Sequence, residues 1–158
     1  KIVLSSSSEN LCLRLGWLYG NKYKNDFIEK IRLAILSRKR KTFIANPFQI
    51  GVPTNVEFVS KLTIQLIKQN QTGLFNLVSN SNSPVSRMQY VKLIVKFFRP
   101  DIVVIPGEKS NFERICDVAL NESASIEKLK ENLPLFTVSN WDVCLQSYLE
   151  KNYKSKKL

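Results

Sequence analysis

The residues able to do chemistry in this chain are few, and histidine is absent from all 158 of them. That excludes His-based triads, His metal ligands and His general bases within the chain. Cys12, Cys116 and Cys144 stand far apart with no Cys-x-x-Cys spacing. This argues against a zinc site or a disulfide framework and suits a reducing, cytoplasmic compartment. Cys12 and Cys144 sit in apolar patterns and read as core residues, and nothing around Cys116 argues for reactivity. The carboxylates Asp101, Glu108, Glu113, Asp117 and Glu122 are scattered, and their spacing makes no acid/base pair. No catalytic residue and no metal ligand is therefore assigned. Two side chains remain of interest. Trp17, at the end of an apolar run, has a flat apolar face and one N–H donor. Gln49, in a loop between a strand and a helix, stands where open α/β sheets place ligands. In that loop, turn and capping chemistry alone also explains Gly51, Pro53 and Thr54.

The elements that must position these residues alternate between strand-like and helix-like blocks, which predicts an α/β layered fold with a largely parallel sheet. Leu11 to Leu18 reads as a buried strand. Asp26-x-x-Glu29 then has capping-box spacing, with Phe27, Ile28, Ile31 and Ile35 as a helical stripe. Thr42 to Ala45 is a second strand. Thr54-x-x-Glu57 gives another capping box before a helix with Val59, Leu62, Thr63, Leu66 and Ile67 on one face. Gly73 is read as the breaker of that helix, and Leu74 to Ser79 as a third strand. Ser86-x-x-Gln89 starts a helix whose apolar face is Tyr90, Val91, Ile94, Phe97 and Phe98, and Pro100 ends it. Ile102 to Ile105 is a fourth strand. Helices over about 126–132 and 141–152 follow, the second capped by Asn140 or Ser139. Ser5 to Ser8 reads as a polar loop, and residues 1–4 as the end of a preceding helix.

The length suits one domain with a real core, and hydrophobic and charged fractions of 44% and 23% are ordinary for a globular protein. Apolar runs such as Ile102–Ile105 are far shorter than a membrane span. No charged-then-apolar leader opens the sequence, and Lys1 is not a natural start residue. The chain is expected to be a fragment or a processed product. Its net charge is +11. The basic runs Arg38-Lys39-Arg40-Lys41 and Lys151 to Lys157 lack the interleaved aromatics of a nucleic-acid face. They are read first as solvated surface, next as an attraction for an anionic small molecule or acidic protein, and last as nucleic-acid binding.

Several segments in order resemble the dTDP-4-dehydrorhamnose reductase family of extended short-chain dehydrogenase/reductases. Arg14-Leu15-Gly16-Trp17-Leu18-Tyr19-Gly20 resembles its Arg-Thr-Ser-Trp-Val-Tyr-Gly, and Gln49-Ile50-Gly51-Val52-Pro53-Thr54 its Gln-x-Gly-x-Pro-Thr. Gly73 to Leu77 resembles its Gly-x-Tyr-His-Leu strand, and Lys128-Leu129, Pro134, Trp141 and Tyr148-Leu149 fall in the family's order. The resemblance implies a parallel-sheet, Rossmann-like remnant plus a small α/β substrate-binding lobe, with the N-terminal cofactor half absent. It implies that Trp17 faces a deoxysugar, that Gln49 and Asn121 serve the sugar-nucleotide side, and that Arg14 and Tyr19 hold the strand and loop. It also implies NADP(H) for the parent protein, a nucleotide-linked deoxysugar as ligand, the N-terminal half as partner and a possible homodimer.

Departures from the family pattern bear on chemistry. The Thr-Ser before the tryptophan is Leu15-Gly16 here, which removes two hydroxyls expected near the nicotinamide. An Arg-Pro pair aligns with Val118-Ala119, and only Asn121 remains of that stretch. An arginine there would suit bidentate phosphate recognition; Arg114 or Lys109 is a nearby substitute. Hydride transfer needs a bound dinucleotide and a proton donor. Gly16, Gly20, Gly51, Gly73 and Gly107 form no dinucleotide turn, and Tyr153 with Lys157 has the family's Tyr-x-x-x-Lys spacing only in a lysine-rich tail. The chain is therefore expected to bind no cofactor and to be inactive alone. A second reading is a non-catalytic relative resembling the regulatory beta subunit of methionine adenosyltransferase; the third, a basic nucleic-acid module, rests on charge alone.

Overall fold

A run of apolar residues that ends in glycine and tryptophan can serve two sheets if the chain turns at the glycine, and this one does. The protein is described by a computed structural model over residues 2–20, 26–36, 39, 41–113 and 115–154. After a short helix α1 (Ile2–Ser6), which takes in the first half of the expected Ser5–Ser8 loop, strand β1 (Leu11–Leu15) runs parallel to β6 (Gly73–Leu77). One residue later β2 (Trp17–Tyr19) runs parallel to a different strand, β5 (Pro53–Asn55). The expected single strand over 11–18 is thus two strands joined at Gly16. Trp17 N–H donates to Val52 O at 2.9 Å, which fixes the crossing. A Cβ on Gly16 would stand 2.5 Å from that carbonyl oxygen, 2.9 Å from Thr54 Oγ1 and 3.1 Å from Val78 Cγ1. There is no room for a side chain where the strand changes partner.

The other pairs are β3 (Thr42–Ala45) with β8 (Val103–Pro106), parallel, and β4 (Ile50–Gly51) with β7 (Val85–Ser86), antiparallel. The parallel expectation holds for three of these four pairs among the described residues. The α/β class and the short parallel pairing agree with a partial Rossmann-like fold.

Helix starts follow side-chain chemistry, with two corrections. The Asp26 carboxylate accepts the N–H of Ile28 at 2.7 Å and of Gly20 at 3.0 Å, and so starts α2 (Phe27–Leu36). Glu29 pairs with Arg32 at 2.7 Å. Helix α3 (Val56–Lys68) is capped by Asn55, which accepts Glu57 N–H at 2.7 Å, and not by Thr54. Strand β5 continues through Asn55, so Thr54 stays in the strand, fully buried. Its hydroxyl donates to Val52 O and accepts Ser79 N–H. Gly73 does not break α3 either. The helix ends at Lys68, Asn70 takes the left-handed conformation at φ 49°, and Gly73 (φ +87°) opens β6. Ile67, expected on the apolar face, is 60% exposed, and the core side of α3 is filled by Leu62 and Leu66 with Phe58 and Val59 packed beside them.

The capping box of α4 (Arg87–Phe98) closes in both directions: Ser86 Oγ accepts Gln89 N–H, and Gln89 Oε1 accepts Ser86 N–H. Helices α5 (Glu127–Asn132) and α6 (Trp141–Tyr153) complete the order. Asn140 stands at the start of α6, but its side chain accepts from Asn80 Nδ2 at 2.8 Å and makes no cap bond. One core joins α2, α4 and α6 through Ile28, Ile35, Tyr90, Ile94 and Leu145. The other joins α3, α5 and β6 through Leu62, Leu66, Phe75, Leu77 and Leu129, and Trp141 packs against both. Among the described residues no helix is long and apolar enough to cross a membrane.

Gly16→Ala is expected to destabilise the chain by about 1–3 kcal/mol, as forced overpacking does. Equilibrium urea unfolding would show a lower midpoint with an unchanged slope; a midpoint equal to the parent's would show that the crossing has slack.

Candidate substrate-binding site

The strand change at Gly16 delivers Trp17 to the junction of the two pairs, where an indole must place one N–H and two faces. The N–H donates to Glu122 Oε2 in a short hydrogen bond. One face lies on the backbone of Gly51: a Cβ there would overlap Cε2, Cζ2 and Nε1 of the ring, the last at 2.8 Å. The Arg87 guanidinium lies over the indole with Cζ 3.5 Å from the ring centroid. The indole N–H is thus engaged by Glu122, and Gly51 and Arg87 both lie against the ring.

Gln49 joins the same cluster. Its Nε2 lies 3.4 Å from Glu122 Oε2, its N–H donates to Asn46 Oδ1 at 3.2 Å, and its carbonyl accepts Arg87 N–H at 2.9 Å. Asn121 stands beside it as an isolated bridge partner of Ile50. Its carbonyl accepts from Ser123 N at 3.0 Å and Ser123 Oγ at 2.6 Å, so the side chain shapes its own turn. That turn is sewn to β4 by Ile50 N–H to Leu120 O at 2.7 Å and Glu122 N–H to Ile50 O at 2.8 Å. A cavity of about 600 Å³ opens beside Trp17 and Glu122, with Arg14, Gly16, Asn76 and Ser123 among its walls. A second, of about 400 Å³, lies at Arg87 and Gln49 and is walled by Phe27, Phe43 and Phe112.

Of the three residues expected at a site, two meet at one carboxylate and the third adjoins it in sequence. The chain reading missed the carboxylate itself, because Glu122 lies 105 residues from Trp17 and no local pattern links them. It also missed Arg87, whose only local signal is its place after a capping serine. Lys109 stands by Phe48, with Nζ 5.8 Å from the ring centroid, in the wall of a third cavity with Gln49. Arg114 and Lys157 lie outside the described residues, as do Arg38 and Arg40 of the first basic run. The three cysteines are free, and neither Cys12 nor Cys144 is fully buried, because both strand and helix carry them at the margins of the cores. Burial raises the Cys144 thiol's pKa, against what a nucleophile needs.

Residues 1–154 match the RmlD substrate binding domain family. The chain belongs to that family. Solved dTDP-4-dehydrorhamnose reductases share its fold. The enzyme from Clostridium acetobutylicum superposes with a TM-score of 0.74 at 19% identity, over 88% of this chain and 47% of that one. The Bacillus anthracis enzyme, in complex with NADP, gives 0.73 at 21% identity over 89% and 48%, and the Yersinia enterocolitica enzyme 0.74 at 21% over 88% and 48%. This RmlD-family chain spans about half the length of these relatives. No curated protein sequence matches it. Gly16, where the resemblance expects a serine, is accounted for by the crowding of Val52, Thr54 and Val78 around it.

Beneath Trp17 the rings form a packed series. Trp17 and Tyr90 have centroids 6.5 Å apart, Tyr90 and Phe27 5.0 Å, and Tyr19 and Tyr148 5.3 Å. Burial, with the nearby Cys144, Tyr148 and Asp26 charges adding to it, raises the Tyr19 hydroxyl's pKa well above its ordinary value. Burial first, then Tyr19, raises that of Tyr90 likewise. Both pKa values are higher folded than unfolded, so this stability is complete below about pH 10. It falls as pH rises above that point, where the unfolded chain ionises first. Unfolding free energy is expected to fall above pH 10, with a shallower slope in Tyr90→Phe; equal slopes in the two proteins would contradict this.

Proposed function

We propose that this chain is the substrate-binding part of an NADP(H)-dependent reductase of 4-keto-deoxysugar nucleotides, resembling dTDP-4-dehydrorhamnose reductase. The observation that carries the reading is the meeting of Trp17 and Gln49 at Glu122 beside the larger cavity, in a chain of the RmlD family. Trp17 and Gln49 would form the wall against the sugar nucleotide, and Asn121 would hold the turn that presents Glu122. The dinucleotide and the proton donor would come from an N-terminal half in the same protein, consistent with the share of the relatives that the chain spans. The free cysteines are consistent with a reducing, cytoplasmic setting. Homodimerisation through this part of the parent protein is also part of the proposal.

Two observations keep a regulatory role beside this one. Leu15, where the resemblance expects a hydroxyl, is 47% exposed in the cavity wall, and Arg87 lies over the indole. A relative that serves a partner enzyme would tolerate both.

Titration with dTDP-glucose is expected to change Trp17 emission in a Trp141→Phe background, and Trp17→Phe should weaken binding by on the order of tenfold, as loss of one well-packed aromatic contact does. With NADPH and a 4-keto sugar nucleotide, the chain by itself should oxidise no NADPH. Turnover by the purified chain would overturn the division of labour. Saturable binding without catalysis, even after the N-terminal half is supplied, would favour the regulatory role.

A further inference from the structure

Parallel strands are almost always covered on both faces, because the helices that connect them pack there. Among the described residues the pair β3–β8 is covered on one. Phe43, Ala45 and Val104 belong to the core shared with α2 and α4. The register sets Thr42 beside Val103 and Ile44 beside Ile105 on the other face. Ile44 is 49% exposed, Val103 61% and Ile105 37%. A strand face left to water usually carries polar side chains. Here all four outward residues are β-branched and three are aliphatic, which suits an apolar neighbour.

These strands lie in a basic frame. Segments 38–45 and 99–114 together hold seven Lys or Arg against three Asp or Glu. Lys41 is exposed, and its carbonyl accepts Val103 N–H at 2.8 Å, which puts it at the head of the sheet. Lys39 is exposed two residues earlier. Of the acids, Asp101 is held by Arg99 at 2.8 Å and 2.9 Å. Glu108 and Glu113 follow the opposite end of β8, with Lys109 between them.

The small size of the face decides its occupant. Two rungs of two strands offer far less than the roughly 800 Å² that each side of a stable protein interface buries. A second copy would also set one basic frame against another. A lipid surface needs less. A few aliphatic side chains beside lysines hold an anionic leaflet by adding two attractions that are each weak alone.

We propose that the open face of β3–β8, with Lys39 and Lys41, is a docking surface for an anionic lipid membrane. Ile44, Val103 and Ile105 enter the boundary between headgroups and acyl chains, and the two lysines meet the anionic headgroups. The contact uses no residue of the Trp17, Gln49 and Glu122 cluster.

Co-sedimentation of the whole chain with vesicles tests this, using phosphatidylcholine alone and phosphatidylcholine mixed with phosphatidylserine. The chain should bind the mixed vesicles and leave the neutral ones, and binding should weaken as salt rises. Ile44→Ser with Val103→Ser keeps the charge and should weaken binding about tenfold. Lys39→Ser with Lys41→Ser should weaken it by about the same factor. Lys68→Ser with Lys130→Ser removes equal charge from α3 and α5 and should change binding less than about twofold. All three double variants should melt with the parent, since every side chain replaced is exposed. Failure to bind the mixed vesicles would overturn the inference, as would a loss that follows total charge and ignores Ile44 and Val103. A dimer in analytical ultracentrifugation that the Ile44 and Val103 pair abolishes, without vesicle binding, would also overturn it and give the face to a second copy.

Discussion

A half-buried indole has one donor to satisfy and two faces to cover, and the way Trp17 meets these demands orders the parts around it. Its N–H reaches Glu122, on the loop that follows β8, across 105 residues of sequence. Gly51, on β4, and Arg87, on the first turn of α4, lie against the ring. Three segments that are also bonded to one another through Ile50 and Gln49 meet at one side chain. In the loop with Glu122, Ile115 and Leu120 are exposed, and among the described residues its backbone is bonded to β4 at Leu120 and Glu122 and to the Asn76 side chain at Ser125. Its position depends on the indole and on Ile50.

The same arrangement recasts the likeness to sugar-nucleotide reductases. The aromatic residue that the resemblance places at the sugar is present and stands at a cavity. Around it, Gly16 is required by packing, Leu15 is apolar and half-exposed, and Arg87 lies on the ring. A flat guanidinium stacked on an indole is held by dispersion and by the ring's quadrupole, so the cover is a structural component of the wall.

Much of the fold was legible in the sequence because local signals and tertiary needs agreed. Ser86 and Gln89 close the box that their spacing announces, and the β-branched and aromatic run Thr42–Ala45 forms the strand that its pattern predicts. The failures came where a tertiary demand outbid a local one. Thr54 has the spacing of a cap, but β5 runs past it, and its hydroxyl serves Ser79 in the interior. Gly16 sits in an unbroken apolar run, and no one-dimensional pattern marks a change of strand partner. Glu122 was visible only as one carboxylate among several, because its meaning comes from Trp17 and Gln49, which are remote in sequence.

The pairing of β1 with β6 and of β3 with β8 has a kinetic side. Each joins segments roughly sixty residues apart, Leu11 with Gly73 and Thr42 with Val103, and neither pair is more than two strands wide among the described residues. A lone two-stranded ribbon is marginal in water, and distant contacts return nothing until the long loop between them has closed. The persistence of these strands therefore relies on the helices packed against them. The strand pairs thus depend on the helices that pack over them, and the Trp17 junction depends on segments brought together from across the sequence.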